Sequence, residues 1–310
     1  MAASGSKLAI FASITANLLI AILKFIASAF TGSSAMLSEG IHSVIDTSNG
    51  LLLLFGIKKS KQAPDKLHPF GHGKEVYFWS FVVSIFIFSL GGGVAIYEGI
   101  HKVMHPGVFE SSTKSLYWNY GVLIGAVFFE GASLWVSWKE FRKVYPKGFK
   151  SALVATKDSA TLAMIIENGA AVTGLFIAMI GVTLTHYFKN PVIDGWTSIL
   201  IGFLLVFVAG FMAKESKDLL IGEAVLQDDI DKIKAILDSY DELEMYGNIR
   251  SMHLGPDDAI VALEVNFKDD TPVQEIERIV AEIKKRIHES DHVFTHTYVE
   301  STGITKSVFN

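Results

Sequence analysis

The chain has 310 residues, of which 50% are hydrophobic, 19% are charged and none is cysteine. Its mean hydropathy of +0.37 is greasier than a soluble domain allows, which argues against an ordinary cytosolic enzyme. The missing cysteines exclude disulfides, thiolate metal sites and cysteine nucleophiles, leaving histidine and carboxylates as the strong metal ligands. The charge is uneven: residues 1–213 carry 16 Lys+Arg against 11 Asp+Glu, residues 214–310 carry 11 against 21.

A helix crossing the hydrocarbon layer needs roughly 20 apolar residues. Six stretches qualify, approximately 8–30, 34–57, 76–100, 117–138, 158–187 and 192–213. The first is span length rather than signal-peptide length and is expected to stay in the mature protein. Tight hairpins join spans one and two through Thr31, Gly32 and Ser33, and spans five and six through Lys189, Asn190 and Pro191. Lys58, Lys59, Lys61, Lys66 and Lys74 follow span two, and Lys139, Arg142, Lys143, Lys147, Lys150 and Lys157 follow span four. Positive loops stay cytoplasmic, so both termini are expected on the cytoplasmic side or its organellar equivalent.

After Lys214 the pattern shortens. Asp229–Ser239 and Val273–His288 have helical spacing, while Ile249–Leu254, Ile260–Phe267 and His292–Val299 read as strands. The expected order is helix, strand, strand, helix, strand. The reading is therefore an all-α six-helix membrane bundle over residues 1–213 and a small α+β domain over 214–310. A unit that small is close to the lower limit for folding alone, so it is expected to pair with a second copy.

An ionisable side chain at bilayer depth is costly unless it is paired or lines a cavity, so each is a functional candidate. Glu39, His42 and Asp46 are spaced by three and four and share one face of span two. His42 and Asp46 supply an imidazole nitrogen and a carboxylate oxygen, both acceptable to zinc; they could equally neutralise each other. Glu167 of span five has no partner on its own helix, and the span-two face is the obvious source of one. Asp158, nine residues earlier, falls on the opposite face and reads as an entrance or cap residue.

A second cluster lies in the loop Asp65-Lys66-Leu67-His68-Pro69-Phe70-Gly71-His72-Gly73-Lys74. Asp65, His68 and His72 could hold a cation with water, or the histidines could cap the following helix. Asn17, Lys24, Glu98 and Glu130 read as packing or proton-path residues, with Lys24 and Glu98 snorkelling to an interface. In the tail, His253, His288, His292 and His296 are candidates for metal sensing or inert surface groups.

The pattern Ser38-Glu39-Gly40-Ile41-His42-x-x-x-Asp46, the loop His68-Pro69-Phe70-Gly71-His72-Gly73-Lys74, the six spans and the acidic tail together resemble the cation diffusion facilitators. The likeness extends over essentially the whole chain. Glu167-Asn168-x-Ala170-Ala171 resembles the branch that includes a mitochondrial zinc exporter. The resemblance implies a homodimeric exporter of divalent metal, chiefly Zn2+ exchanged for protons, with a ferredoxin-like cytoplasmic domain that dimerises.

It also implies a transport site with two ligands from span two and two from span five. His42 and Asp46 match the first pair, and Glu167 matches one member of the second. Where the other ligand would stand there is Ala163, so water, Asn168 or Glu39 is left to complete the shell. Asp65, His68 and His72 match a second zinc site found in some members. The oxygen-rich set keeps manganese, iron and cobalt open as cargo.

A membrane-anchored metal sensor or scaffold, with His253 and His296 among its ligands, is the rival reading; a metal channel fits less well. There is no Walker-type phosphate loop, so no ATP requirement and no enzymatic activity are expected. No nucleic-acid partner is expected either.

Overall fold

The computed structural model describes the backbone of residues 3–107, 113–144 and 159–301. It divides into two compact units, Met1–Gly56 with Phe78–Ser216, and Ile57–Tyr77 with Lys217–Asn310.

The first unit is helical: α1 (Ala3–Thr31), α2 (Ser34–Ser60), α3 (Glu75–Phe86), a π-helical stretch (Ile87–Gly93) running on into α4 (Val94–Met104), α5 (Thr113–Val144), α6 (Ser159–Phe188) and α7 (Val192–Ile221). Five spans are long and apolar enough to cross a membrane over their described residues, Glu75–Met104 counting as one, and Asn17–Thr31 of α1 forms a shorter apolar helix. The protein is an integral multi-pass membrane protein. Large apolar side chains such as Phe128, Trp135 and Phe207 lie exposed on this unit, as hydrocarbon solvent allows. Its interior is packed around Met36, Ile45, Leu123, Leu175, Ile201 and Leu205.

The break in the third span has a local cause. Gly91, Gly92 and Gly93 are poor helix formers, and the backbone widens there from α to π geometry. Gly92 and Gly99 make a seam with α7. A Cβ on Gly99 would lie 2.6 Å from the Gly195 carbonyl oxygen, and one on Gly195 would lie 2.8 Å from that of Gly99. Gly92 and Gly202 repeat the arrangement seven residues away, at 3.1 and 3.0 Å. Small residues at this spacing let antiparallel backbones touch.

The α1–α2 hairpin is capped from α7. Asp194 accepts hydrogen bonds from Ser33 Oγ at 2.6 Å, Ser34 N at 2.6 Å and Ser34 Oγ at 2.8 Å. A carboxylate at a helix N-terminus satisfies orphan backbone donors and the positive end of the dipole. The turn itself needs Gly32, whose φ of +64° is in the left-handed region.

The second unit contains α8 (Gln227–Leu237), β1 (Leu243–Tyr246), β2 (Arg250–Gly255), β3 (Asp258–Phe267), α9 (Val273–Ser290) and β4 (Phe294–Ser301). The strand β1 was not among the expected elements, so the order is helix, strand, strand, strand, helix, strand. Both β1 and β2 pair antiparallel with β3, at opposite ends of it, while β4 runs parallel to β3 along its other edge. Alternate residues of β3, Ala259, Val261, Leu263, Val265 and Phe267, face Ile279, Ile283 and Ile287, one stripe of α9 at four-residue spacing.

Candidate metal centre

Asp46 sits one helical turn after His42 on α2, and the ring Nε2 lies 3.3 Å from Asp46 Oδ1. Glu167 of α6 approaches the same face of α2 from across the bundle. Asn49 Nδ2 donates to Glu167 Oε1 at 2.7 Å. Asn49 was not singled out from the sequence, yet it extends the three-and-four stripe of 39, 42 and 46 by one more step. His42 and Asn49 are buried at 3% and 1% exposure.

Two oxygens of this centre lack donors. Asp46 Oδ1 and Asn49 Oδ1 are buried with no hydrogen-bond partner of good geometry. Buried polar atoms are nearly always paired, and an unpaired buried oxygen is what a cation or its water requires. In this conformation the ligand atoms of His42, Asp46 and Glu167 do not all lie within 4.8 Å of one another; among the described residues only the loop cluster does.

Two candidates for completing the shell are engaged elsewhere. Asn168 is turned toward α5, where its Nδ2 donates to Ser137 Oγ at 2.8 Å; one residue on from Glu167, it projects about 100° away. Glu39 is ion-paired through Oε2 to Lys24 Nζ at 3.0 Å, and the same ammonium donates to Ser43 Oγ at 2.7 Å. Lys24 is 1% exposed, so it does not snorkel. Its partner on α2 makes burial tolerable instead. Asp158 and the side chain of Ala163 lie outside the described residues, as do Lys147, Lys150 and Lys157.

The loop cluster belongs to the second unit. His68 Nδ1 lies 3.3 Å from Asp65 Oδ1 and His72 Nε2 lies 3.2 Å from Asp65 Oδ2, with the two rings 4.3 Å apart. Asp65 is held by its own turn, accepting from His68 N at 2.7 Å and Leu67 N at 2.8 Å. The His68 amide above all holds the Asp65 carboxyl below the usual carboxylate range, with the Leu67 amide and the His72 ring adding to it. Gly71, at φ +85°, turns the chain so that His72 returns over Asp65.

The tail histidines do not converge. His253 pairs across β3 with Ala259, and His296 with Ile260. Neighbouring residues of β3 point to opposite faces, so the two imidazoles lie on different sides of the sheet. His296 instead packs edge-on against Phe70 of the histidine loop, ring centroids 5.2 Å apart. His288 and His292 are adjacent to each other, with ring centroids 5.3 Å apart.

Comparison with known proteins adds an independent line. The model for the cation efflux transmembrane domain matches residues 10–221, and that for the cation efflux protein cytoplasmic domain matches residues 225–300. The chain is 33% identical over 261 residues to the mitochondrial proton-coupled zinc antiporter SLC30A9 of Mus musculus, covering 83% of this chain and 45% of that protein. It is 32% identical over 273 residues to metal tolerance protein C4 of Arabidopsis thaliana, covering 87% and 59%. An uncharacterized transporter of Bacillus subtilis, YdbO, is 24% identical over 94% of both chains. The chain thus spans about half the length of the mammalian relatives it matches.

Proposed function

The chain belongs to the cation efflux family, and on that premise we propose that it is a secondary transporter that carries zinc out against protons through the His42, Asp46 and Glu167 centre. The single observation that carries the reading is the meeting of α2 and α6: the 3.3 Å His42–Asp46 pair faces the Glu167 carboxyl inside the helical unit. An imidazole nitrogen and two carboxylates suit zinc. The predominance of oxygen admits manganese, iron or cobalt as a second reading of the cargo.

Coupling follows from the chemistry of the donors. A metal takes the lone pairs that protons would otherwise hold, so loading releases protons and protonation releases metal. One centre with alternating occupants gives antiport without a separate proton channel. Access alternates as the helices that supply the ligands, α2 and α6, change their packing around it.

Three further assignments belong to the same proposal. Both termini and the Lys58, Lys59 and Lys61 loop face the cytoplasm or matrix, by the distribution of basic residues. The α+β unit joins two chains as a homodimer, which the match to the family's cytoplasmic domain supports. Asp65, His68 and His72 bind a second zinc ion, supported by ligand atoms within 4.8 Å of one another.

The test is zinc uptake by proteoliposomes under an imposed pH gradient. Flux is expected in wild type and absent in Asp46→Ala and Glu167→Ala. Undiminished flux in either variant overturns the assignment of that residue.

A further inference from the structure

We propose that His101 and His105, at the end of α4, form a two-imidazole site for a divalent transition metal such as zinc, beside the α1–α2 turn. The part this site plays in transport rests on the function proposed above; its existence as a binding site does not.

His101 stands in the last turn of α4 and His105 is the residue that caps it. The His105 amide donates to the His101 carbonyl at 2.9 Å, so the helical turn between them is closed. The two rings meet on one face, with centroids 5.0 Å apart and planes inclined by 32°. Histidines four residues apart on a helix are a zinc-chelating arrangement, because one tetrahedral ion can take a nitrogen from each. Both residues are exposed, so their rings are free to turn a nitrogen toward a common point. Among the described residues only Asp65, His68 and His72 bring three ligand groups within 4.8 Å of one another. This pair therefore offers two protein ligands, and water fills the rest of the shell.

The surroundings suit a cation. Tyr97, one turn before His101, lies nearly parallel to its ring at 6.4 Å and backs it on the side away from His105. Lys102 lies between the two histidines in sequence, but its ammonium is drawn off to the carbonyl oxygen of Gly32. That contact also places the pair beside the α1–α2 turn. The helix end carries the negative pole of the dipole. Lys58 and Lys59 are at the other end of α2, so in the orientation proposed above the pair lies on the side where zinc leaves. Two imidazoles and water hold an ion less firmly than a full protein shell does, which suits a brief stop after release.

The experiment is modification of histidines by diethyl pyrocarbonate in purified full-length protein, read residue by residue by peptide mass spectrometry, with and without zinc. Zinc is expected to protect His101 and His105 together, at one half-protecting concentration. Magnesium, which prefers oxygen ligands, is expected to protect neither. In His101→Gln the half-protecting concentration at His105 is expected to rise more than about tenfold, since a lost ligand outweighs outer-shell changes of that size. Should that variant fail to fold, His105→Gln read at His101 decides in the same way. Protection is expected to persist in Asp46→Ala, because the pair draws no ligand from the first centre. Absence of protection overturns the proposal and leaves the imidazoles as caps on the last carbonyls of α4. Protection of one histidine alone, protection by magnesium, or protection of His105 that survives His101→Gln overturns it too. Loss of protection in Asp46→Ala also does so, since the shielding then comes from a change of shape driven at the first centre. All these outcomes read binding rather than flux. Wild type that carries no zinc across proteoliposomes would sink the transport reading and leave this site standing.

Discussion

Replacing Asn49 by alanine isolates a residue that orients the centre without belonging to its charged set. Its amide donates to Glu167 Oε1 at 2.7 Å and is 1% exposed, so no water takes its place readily. Without that bond the Glu167 carboxyl can rotate away from Asp46, and each zinc ion bound must first restore the orientation. Partners of this kind are worth roughly 10–100-fold in metal affinity, or about 1.4–2.8 kcal/mol. Competition against a chromophoric zinc chelator in detergent measures the affinity, and initial zinc uptake in proteoliposomes measures its consequence. Thermal unfolding run beside them reports the hole left by the shorter side chain. Asn49→Ala that melts earlier but binds zinc as wild type does would make Asn49 a packing residue and refute the orienting role.

Two other perturbations follow from the same hydrogen-bond inventory. Asp194→Ala leaves Ser33, Ser34 and the α2 N-terminus without their acceptor; hydrogen bonds to a charged group contribute about 1.5–3 kcal/mol each, so a loss above about 3 kcal/mol is expected. Thermal unfolding in detergent checks it, and a midpoint equal to wild type contradicts the cap. In the histidine loop, the depressed Asp65 carboxyl contributes order that is fully present above its ordinary range and is lost as pH falls through its lowered value. Amide exchange at Leu67 and His68 is expected to be slow at neutral pH and to quicken in acid. Rates that stay slow throughout would remove Asp65 from that role.

Much of the membrane unit was legible because hydropathy and helical period act locally. The 39, 42 and 46 stripe announces a polar face, since ionisable groups at bilayer depth are costly unless they are paired or line a cavity. Beyond Glu167, what faces it was not legible. Lys24 reads as a residue that reaches for an interface, and only the docking of α1 on α2 reveals Glu39 as its partner. Glu130 and Asp194 likewise look isolated until α5 and α7 are in place. In the soluble unit β1 escaped because Leu243–Tyr246 is four residues long, too short for an alternation to register. Its pairing comes from β3, which offers a free edge beyond the end of β2. The histidine loop was readable as a cluster, but its grouping with the tail rather than with the bundle depends on tertiary contacts such as Phe70 on His296.

The seam of Gly92 and Gly99 with Gly195 and Gly202 limits how the bundle can work. Ordinary helices glide past each other on a cushion of side chains that change rotamer, and here the cushion is absent. A slip of a few ångströms would drive carbonyl oxygens into neighbouring main chain. The third and last spans consequently pack as a single strut, with no freedom to slide against each other.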